Sequence, residues 1–337
     1  MNKISKLFRN DLAGVLLPLV ILFAILMIGS PGFLSTYNVI SVLQNVALFV
    51  LIGLAQMSAL SLGQFNLAVG AMGTLSAVMM GIFMQVFGMP VIVAVLLGLI
   101  IAMLLGAIQG LLIARSGISP FIITLALLSV FTGLATVITQ GNTYNKLPGV
   151  IKDINRAQFG AIPLTFIIAM IICVLSFMIF RYTNIGRRLQ AVGANQRAAK
   201  FSGINVEATI IMGHVISGLF CGIAAFIQIL KFNSAQLAIG NDWMMTSFVV
   251  AVLGGTLLSG GKVSVIGTLL GSFLIVFINN ALGLWKVNTY AFQAILGVVL
   301  LAAYEVDRAR VSFMKRRIIQ AAESIMPESK TEETGHE

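Results

Sequence analysis

Charge is what this 337-residue sequence has least of: 9% of its residues are Asp, Glu, Lys or Arg, where soluble domains carry about a quarter. A soluble globular fold is thereby excluded. Cysteine is nearly absent, and Cys173 and Cys221 each sit inside an apolar run with no ligand-type neighbour at metal-binding spacing. Both read as small buried hydrophobes, which argues against a disulfide scaffold or a metal site. Histidine occurs twice, as His214 within an apolar run and His336 in a polar tail where no role is assigned to it. The eleven carboxylates fall in loops, tails or run ends: Asp11, Asp153, Glu207, Asp242, Glu305, Asp307, Glu323, Glu328, Glu332, Glu333 and Glu337. An ion-coupled carrier usually keeps an ionisable group at membrane depth to bind the coupling ion. Secondary transport is therefore disfavoured, although sodium sites built from carbonyls and hydroxyls need no carboxylate. A nucleotide-binding loop is missing too. The nearest match, GGTLLSGGKVS, has Thr256 where the first glycine is required and Val263 where Ser or Thr must hold magnesium.

What the sequence does have is apolar length, with 58% hydrophobic residues. Runs at 12–28, 42–62, 67–87, 91–114, 121–139, 162–180, 208–230, 243–258, 263–282 and 290–304 are separated by short polar intervals. A crossing needs roughly 20 apolar residues, so the pattern predicts an all-α polytopic membrane protein of about ten transmembrane helices. The eighth and tenth runs are short for a full crossing. Lys3, Lys6 and Arg9 precede the first run as in a signal peptide, but that run is too long and lacks a small-x-small cleavage site, so it reads as the first helix. Residues 1–306 read as a transmembrane domain and 307–337 as a cytoplasmic tail that opens basic and ends acidic.

The net charge of +10 forms no basic face interleaved with aromatics, so nucleic acid is not an expected partner. Topology accounts for it better. With both termini in the cytoplasm, every Lys and Arg falls inside except Lys146, Lys152, Arg156, Lys231 and Lys286. Spans two to five then face the bilayer in the opposite sense from spans seven to ten, which permits an inverted repeat. Glycine pairs at 106/110, 218/222 and 267/271 have the spacing that lets membrane helices approach closely. Gln56, Gln109, Thr124, Thr132, Gln228, Asn279 and Asn280 lie within runs, where they serve either interhelical hydrogen bonds or a path for a hydroxylated solute. His214 reads as a helix-helix hydrogen-bonder in preference to a proton relay, since no acidic partner accompanies it. On the outer side, 140–161 and 231–242 are either solvated connectors or docking loops. The longest inner interval, 181–207, carries Arg181, Arg187, Arg188, Arg197 and Lys200 and has room for a short helix.

Three stretches together resemble the permease subunit of ribose-type ABC sugar importers, a broad family that also includes permeases for autoinducer-2 and branched-chain amino acids. They are GANQRAAKFSGI from Gly193, LGGTLLSGGK from Leu253 and NLAVG from Asn66, with ISPFIITLAL and INNALGL flanking them. The similarity runs from roughly Val39 to Ala303. It implies a type II, vitamin-B12-importer-like permease of ten spans in a bacterial inner membrane. It also implies pairing across a two-fold axis with a second copy or a paralogue, a separate ATPase subunit that carries ATP and Mg, and a soluble substrate-binding protein. No cofactor and no bond chemistry belong to this chain. The coupling segment would be 189–204, with Gly193, Asn195, Arg197, Ala198, Ala199, Lys200 and Gly203 as ATPase-coupling residues. Small Gly193, Ala194, Ala198 and Ala199 would allow close seating, Arg197 and Lys200 would pair with acidic groups, and Gly203 would end the helix. Gln64, Asn66, Thr124, Asn279 and Asn280 are candidates for the translocation path. Asn66 stands where the family usually has Asp, Gly63-Gln-Phe replaces GGI, and Trp243-Met-Met replaces a more polar stretch; these departures put ribose itself in question. A branched-chain amino-acid permease and a non-transporting membrane receptor or scaffold are the alternative readings.

Overall fold

Backbone N–H and C=O groups in hydrocarbon have no water to bond, so apolar runs of this length must form helices. In the computed structural model, which describes residues 13–288, 291–302 and 305, each run does. The helices are α1 (Ala13–Gly29), α2 (Thr36–Leu60), α3 (Val69–Gln85), α4 (Val91–Ser116), α5 (Pro120–Thr139), α6 (Val150–Arg156), α7 (Leu164–Tyr182), α8 (Asn184–Ala194), α9 (Gln196–Phe201), α10 (Val206–Phe232), α11 (Trp243–Leu253), α12 (Val265–Leu284) and α13 (Ala291–Ala302). Six of them, α2, α4, α5, α7, α10 and α12, are long and apolar enough to cross a membrane, and the other four runs form shorter apolar helices. The chain is thus a polytopic helical membrane protein. Lys3, Lys6, Arg9, His336 and the expected tail at 307–337 lie outside the described residues.

Local chemistry sets the boundaries. Ser35, Asn205 and Ser264 cap α2, α10 and α12 by accepting from backbone N–H groups three residues on. Pro120 opens α5, and Gly117 ends α4 at φ +70°. Helices α2 and α10 form the buried centre, while α4, α5 and α7 turn apolar side chains outward, as lipid-facing helices do. The pairing of α4 with α10 follows from the glycines. A Cβ on Gly106 would lie 2.2 Å from the His214 carbonyl oxygen, and one on Gly218 would lie 2.2 Å from that of Ala102. Close backbone contact replaces the hydrophobic drive that lipid cannot supply.

One end of the bundle is basic, carrying Arg115, Arg181, Arg187, Arg188, Arg197 and Lys200; there Arg115 pairs with Glu207 at 2.5 Å. At the opposite, far end the loop expected at 140–161 is not a plain connector. It holds α6 and a hairpin of two-residue strands in which β1 (Gln158–Phe159) pairs antiparallel with β2 (Ile162–Pro163), so the helix of the sixth apolar run, α7, starts at Leu164 and not at Ile162. Tyr144 and Ala235 exchange backbone hydrogen bonds of 2.9 and 2.8 Å, which fastens this loop to the second far-end loop.

Two segments interrupt the helical pattern inside the protein. Residues 61–68 turn back between α2 and α3, and a short 3-10 turn, Leu237–Gly240, precedes α11. Gly240 meets Gly70 at the start of α3, where a Cβ on either would lie 2.1 Å from the other's carbonyl oxygen. Helix α11 has eleven residues, about 16 Å of rise, roughly half of a hydrocarbon core about 30 Å thick. Broken helices of this kind are tolerated where protein covers the irregular backbone.

Candidate functional site

Two of the three stretches that carry the resemblance are far apart in sequence, yet they meet at the basic end, together with the turn that leads into the third. Gly193, in the last turn of α8, abuts the turn after α2 and the loop after α11: a Cβ on it would lie 1.9 Å from Ser61 O and 2.8 Å from Gly261 N. Gly261 N–H donates to Ser61 O at 3.1 Å. A Cβ on Gly260 would lie 2.5 Å from Gly63 N. Gly63, Gly260 and Gly261 have φ of +69°, +85° and +80°, the left-handed region where a side chain is strained. The result is a junction of bare backbones in which α8, the 61–68 turn and the 254–262 loop touch without side chains between them. The 254–262 segment joins two helices, α11 and α12, not a strand to a helix.

The expected coupling segment forms two helices. Thr183 caps α8, and Asn195 both ends α8 and caps α9, its Oδ1 accepting from Ala198 N–H at 3.0 Å. Gly203, at φ +78°, terminates the pair as anticipated. The seating expected of the small residues needs correction for two of them. Gly193 faces the chain's own junction, and Ala199 is 4% exposed, so these two fit α8 and α9 onto the permease body. Leu189 and Val192 are likewise fully buried. The free surface includes Asn195, Arg197, Ala198, Lys200 and Phe201, the last 93% exposed. Phe201 was not among the sequence candidates; its one available signal is that it is the sole aromatic between Tyr182 and α10.

The path candidates separate into different environments. Gln64 and Asn66 belong to the buried 61–68 turn. Here His214 is held at both ring nitrogens: Nδ1 lies 2.8 Å from Gln109 Nε2, and Nε2 lies 2.9 Å from Gln64 Oε1. An amide donor on one side and an amide acceptor on the other describe a neutral imidazole carrying its proton on Nε2. Asn66 donates to Ser217 Oγ at 3.0 Å and accepts from Ala68 N–H at 3.0 Å. The Gln56 amide, oriented as its neighbours require, bonds the Asn66 carbonyl at 2.9 Å and its N–H at 3.3 Å. Side chains thus complete the hydrogen bonding of a non-helical stretch that has no strand partner. Thr124 is fully buried and returns its hydroxyl to Phe121 O at 3.2 Å. Thr132 is exposed on the outer face of α5. Asn280 pairs reciprocally with Asn38, at 3.1 and 2.7 Å, and so bridges α12 and α2.

Asn279, one residue earlier, lines a far-end cavity of about 600 Å³. Its walls come from α2 (Asn45, Phe49), α10 (Gln228, Lys231), the start of α11 (Asp242, Trp243, Thr246), α12 and α13 (Phe292, Gln293). A second cavity, about 850 Å³, lies at the basic end between Gln64, the α4–α5 turn and α9. Polar side chains therefore mark both ends of the bundle, and the Gln64–His214–Gln109 chain reaches the cavity at the basic end through Gln64.

Comparison with known proteins gives the class. The family described as branched-chain amino acid transport system / permease component matches residues 38–304. The chain belongs to this family of transport permeases. Among curated relatives it is 36% identical to the ribose import permease protein RbsC of Bacillus subtilis, over 88% of this chain and 92% of that one. It is 30% identical to the D-allose transport system permease protein AlsC of Escherichia coli, over 88% and 92%. With the fructose import permease protein FrcC of Rhizobium meliloti the identity is 28%, over 91% and 88%. No solved structure matches the chain.

Proposed function

We propose that this chain is the transmembrane permease subunit of an ATP-driven importer for a monosaccharide. The observation that carries the reading is the glycine junction. A solvent-exposed helix pair at the basic end, α8 and α9, rests backbone to backbone on the turn that leads to Gln64 and Asn66 and on the loop that ends α11. A push on α9 passes to α8, whose last turn meets both segments at Gly193 with no side chain between the backbones. Arg197, Lys200 and Phe201 offer a cationic rim and an aromatic anchor, the features that protein interfaces favour. In this reading the basic end is cytoplasmic, by the positive-inside rule, and an ATPase subunit that binds ATP and Mg docks there. A soluble binding protein delivers sugar at the far end, onto the joined loops around Tyr144 and Ala235. The membrane is the bacterial inner membrane, the spans number ten in a type II arrangement, and a second copy or paralogue completes the transporter. The relatives are named for import of ribose, allose and fructose, which supports a sugar as the cargo.

Proteoliposomes containing the permease, its ATPase and its binding protein test this. Uptake of D-ribose, D-allose or D-fructose that requires ATP hydrolysis and is stimulated by loaded binding protein is the expected result. ATP-dependent export alone, uptake without the ATPase, or uptake of L-leucine in place of any sugar would overturn it.

A further inference from the structure

The far-end cavity lies at the broken start of α11, within one copy of the chain. We propose that it is a transit subsite for one neutral monosaccharide, with Gln228 and Asn279 bonding hydroxyls and Trp243 and Phe292 covering the sugar's C–H face. The proposal rests on the importer reading and adds the groups that recognise the cargo.

The cavity's chemistry is unusual for a helix bundle interior. Gln228 lines it at 7% exposure, and among the described residues its Oε1 has no hydrogen-bond partner. An orphaned buried acceptor costs about 1–3 kcal/mol, which a hydroxyl donor recovers. The terminal torsion of Gln is soft, so this amide can present either its oxygen or its NH₂ to a ligand.

Each of the two charges that line the cavity holds an amide of the cavity wall in place. Lys231 Nζ donates to Asn45 Oδ1 at 2.6 Å, and Asp242 Oδ1 accepts from Gln293 Nε2 at 3.0 Å. A sugar needs groups that both donate and accept, which amides supply. The volume, about 600 Å³, lies within the roughly 300–1,000 Å³ usual for small-molecule sites.

Trp243 is one of the departures from the family pattern, and the structure gives it a place. Its ring lies on α3 where Gly73 leaves room: a Cβ there would be 2.2 Å from Cζ3. The indole is 3% exposed and lines the cavity together with Phe292. An aromatic wall held before the ligand arrives adds contact area without an ordering cost.

The full-length permease contains two tryptophans, so a Trp285→Phe variant makes Trp243 the only emitter. Titration with D-ribose, D-allose and D-fructose should give a saturable change in its fluorescence with at least one sugar and none with L-leucine. Adding Gln228→Leu or Asn279→Ala should weaken half-saturation about tenfold, one hydrogen bond's worth. In proteoliposomes the same two substitutions should raise the KM for uptake while ATP hydrolysis continues. No saturable change with any sugar, a response to leucine, or responses unmoved by both substitutions would overturn the subsite. If ATP-driven sugar uptake persists with unchanged KM in both variants, the subsite fails and the importer reading stands. Loss of ATP dependence in the unmodified protein would instead remove the reading beneath it.

Discussion

Replacing Gly193 with alanine tests the junction most directly. The new Cβ would sit 1.9 Å from Ser61 O and 2.8 Å from Gly261 N. Both neighbours are backbone atoms tied to each other by a 3.1 Å hydrogen bond, so neither can swing aside as a side-chain tip could. The end of α8 must retreat by roughly 1 Å, an overpacking cost of about 1–3 kcal/mol. If the retreat also breaks the Gly261–Ser61 bond, about 1 kcal/mol is added. Gly133→Ala is the control, because a Cβ there has nothing within 4 Å and alanine favours a helix by about 1 kcal/mol. Gly203→Ala isolates backbone strain, since φ is +78° with nothing nearby. The assay is sugar transported per ATP hydrolysed in proteoliposomes, read beside a thermal melt of the permease. Gly193→Ala should lower the melt and cut transport per ATP at least about fivefold, the rate equivalent of 1 kcal/mol. Gly133→Ala should hold or raise the melt and leave transport per ATP unchanged. Equal melts and equal transport ratios in the two variants would refute the claim that bare backbone contact transmits the motion.

Three further outcomes follow from single sites. Phe201→Ser should weaken association with the ATPase about tenfold or more at an unchanged melting temperature, as should a bulky residue at exposed Ala198, whereas a bulky residue at buried Ala199 should lower the melt itself; a pull-down titration with a parallel melt checks all three. His214→Gln should leave the pH profile of uptake superimposable on that of the unmodified protein, because both ring nitrogens face amides; a flattened profile would restore the proton relay. Alanine substitutions at Asn38 and Asn280 should show a coupling energy near 0.6 kcal/mol in a double-mutant cycle, and strict additivity would mean that their paired bonds contribute nothing.

Apolar length made the helices legible, since composition decides what can sit in lipid. It misjudged where they end. The eighth run seemed to reach 258 because the loop after Leu253 is itself rich in apolar residues and glycine, and buried irregular backbone selects the same composition as a helix. Glycine spacing was read correctly on α4 and α10, where the 106/110 pair packs against residues 211–215 and the 218/222 pair against residues 99–102. It had no way to show that Gly193, Gly63 and Gly261 touch, because their contact is long-range and backbone-only. Asn279 and Asn280 illustrate the same limit on a smaller scale. Adjacent residues on a helix point about 100° apart, so one lines a cavity and the other locks α12 to α2. Nothing in an NN dipeptide tells which is which.

Helix α11 makes the broken pattern intelligible. Its first turn carries Asp242, Trp243 and Thr246 on the far-end cavity, and its last residue leads into Gly254, where a Cβ would lie 2.5 Å from Thr268 N at the start of α12. A full crossing would have placed its first turn at the membrane surface. At about 16 Å, the helix instead spans the distance from the cavity to the loop that meets Ser61 and α8. Short length, glycine at the basic end and an aromatic at the cavity are thus three requirements on one element. They are consistent with a stretch, Asp242 to Lys262, that carries both one segment of the resemblance, after Leu253, and one departure from it, at Trp243. The junction constrains one end by backbone geometry, while the other end is shaped by the cavity that it borders.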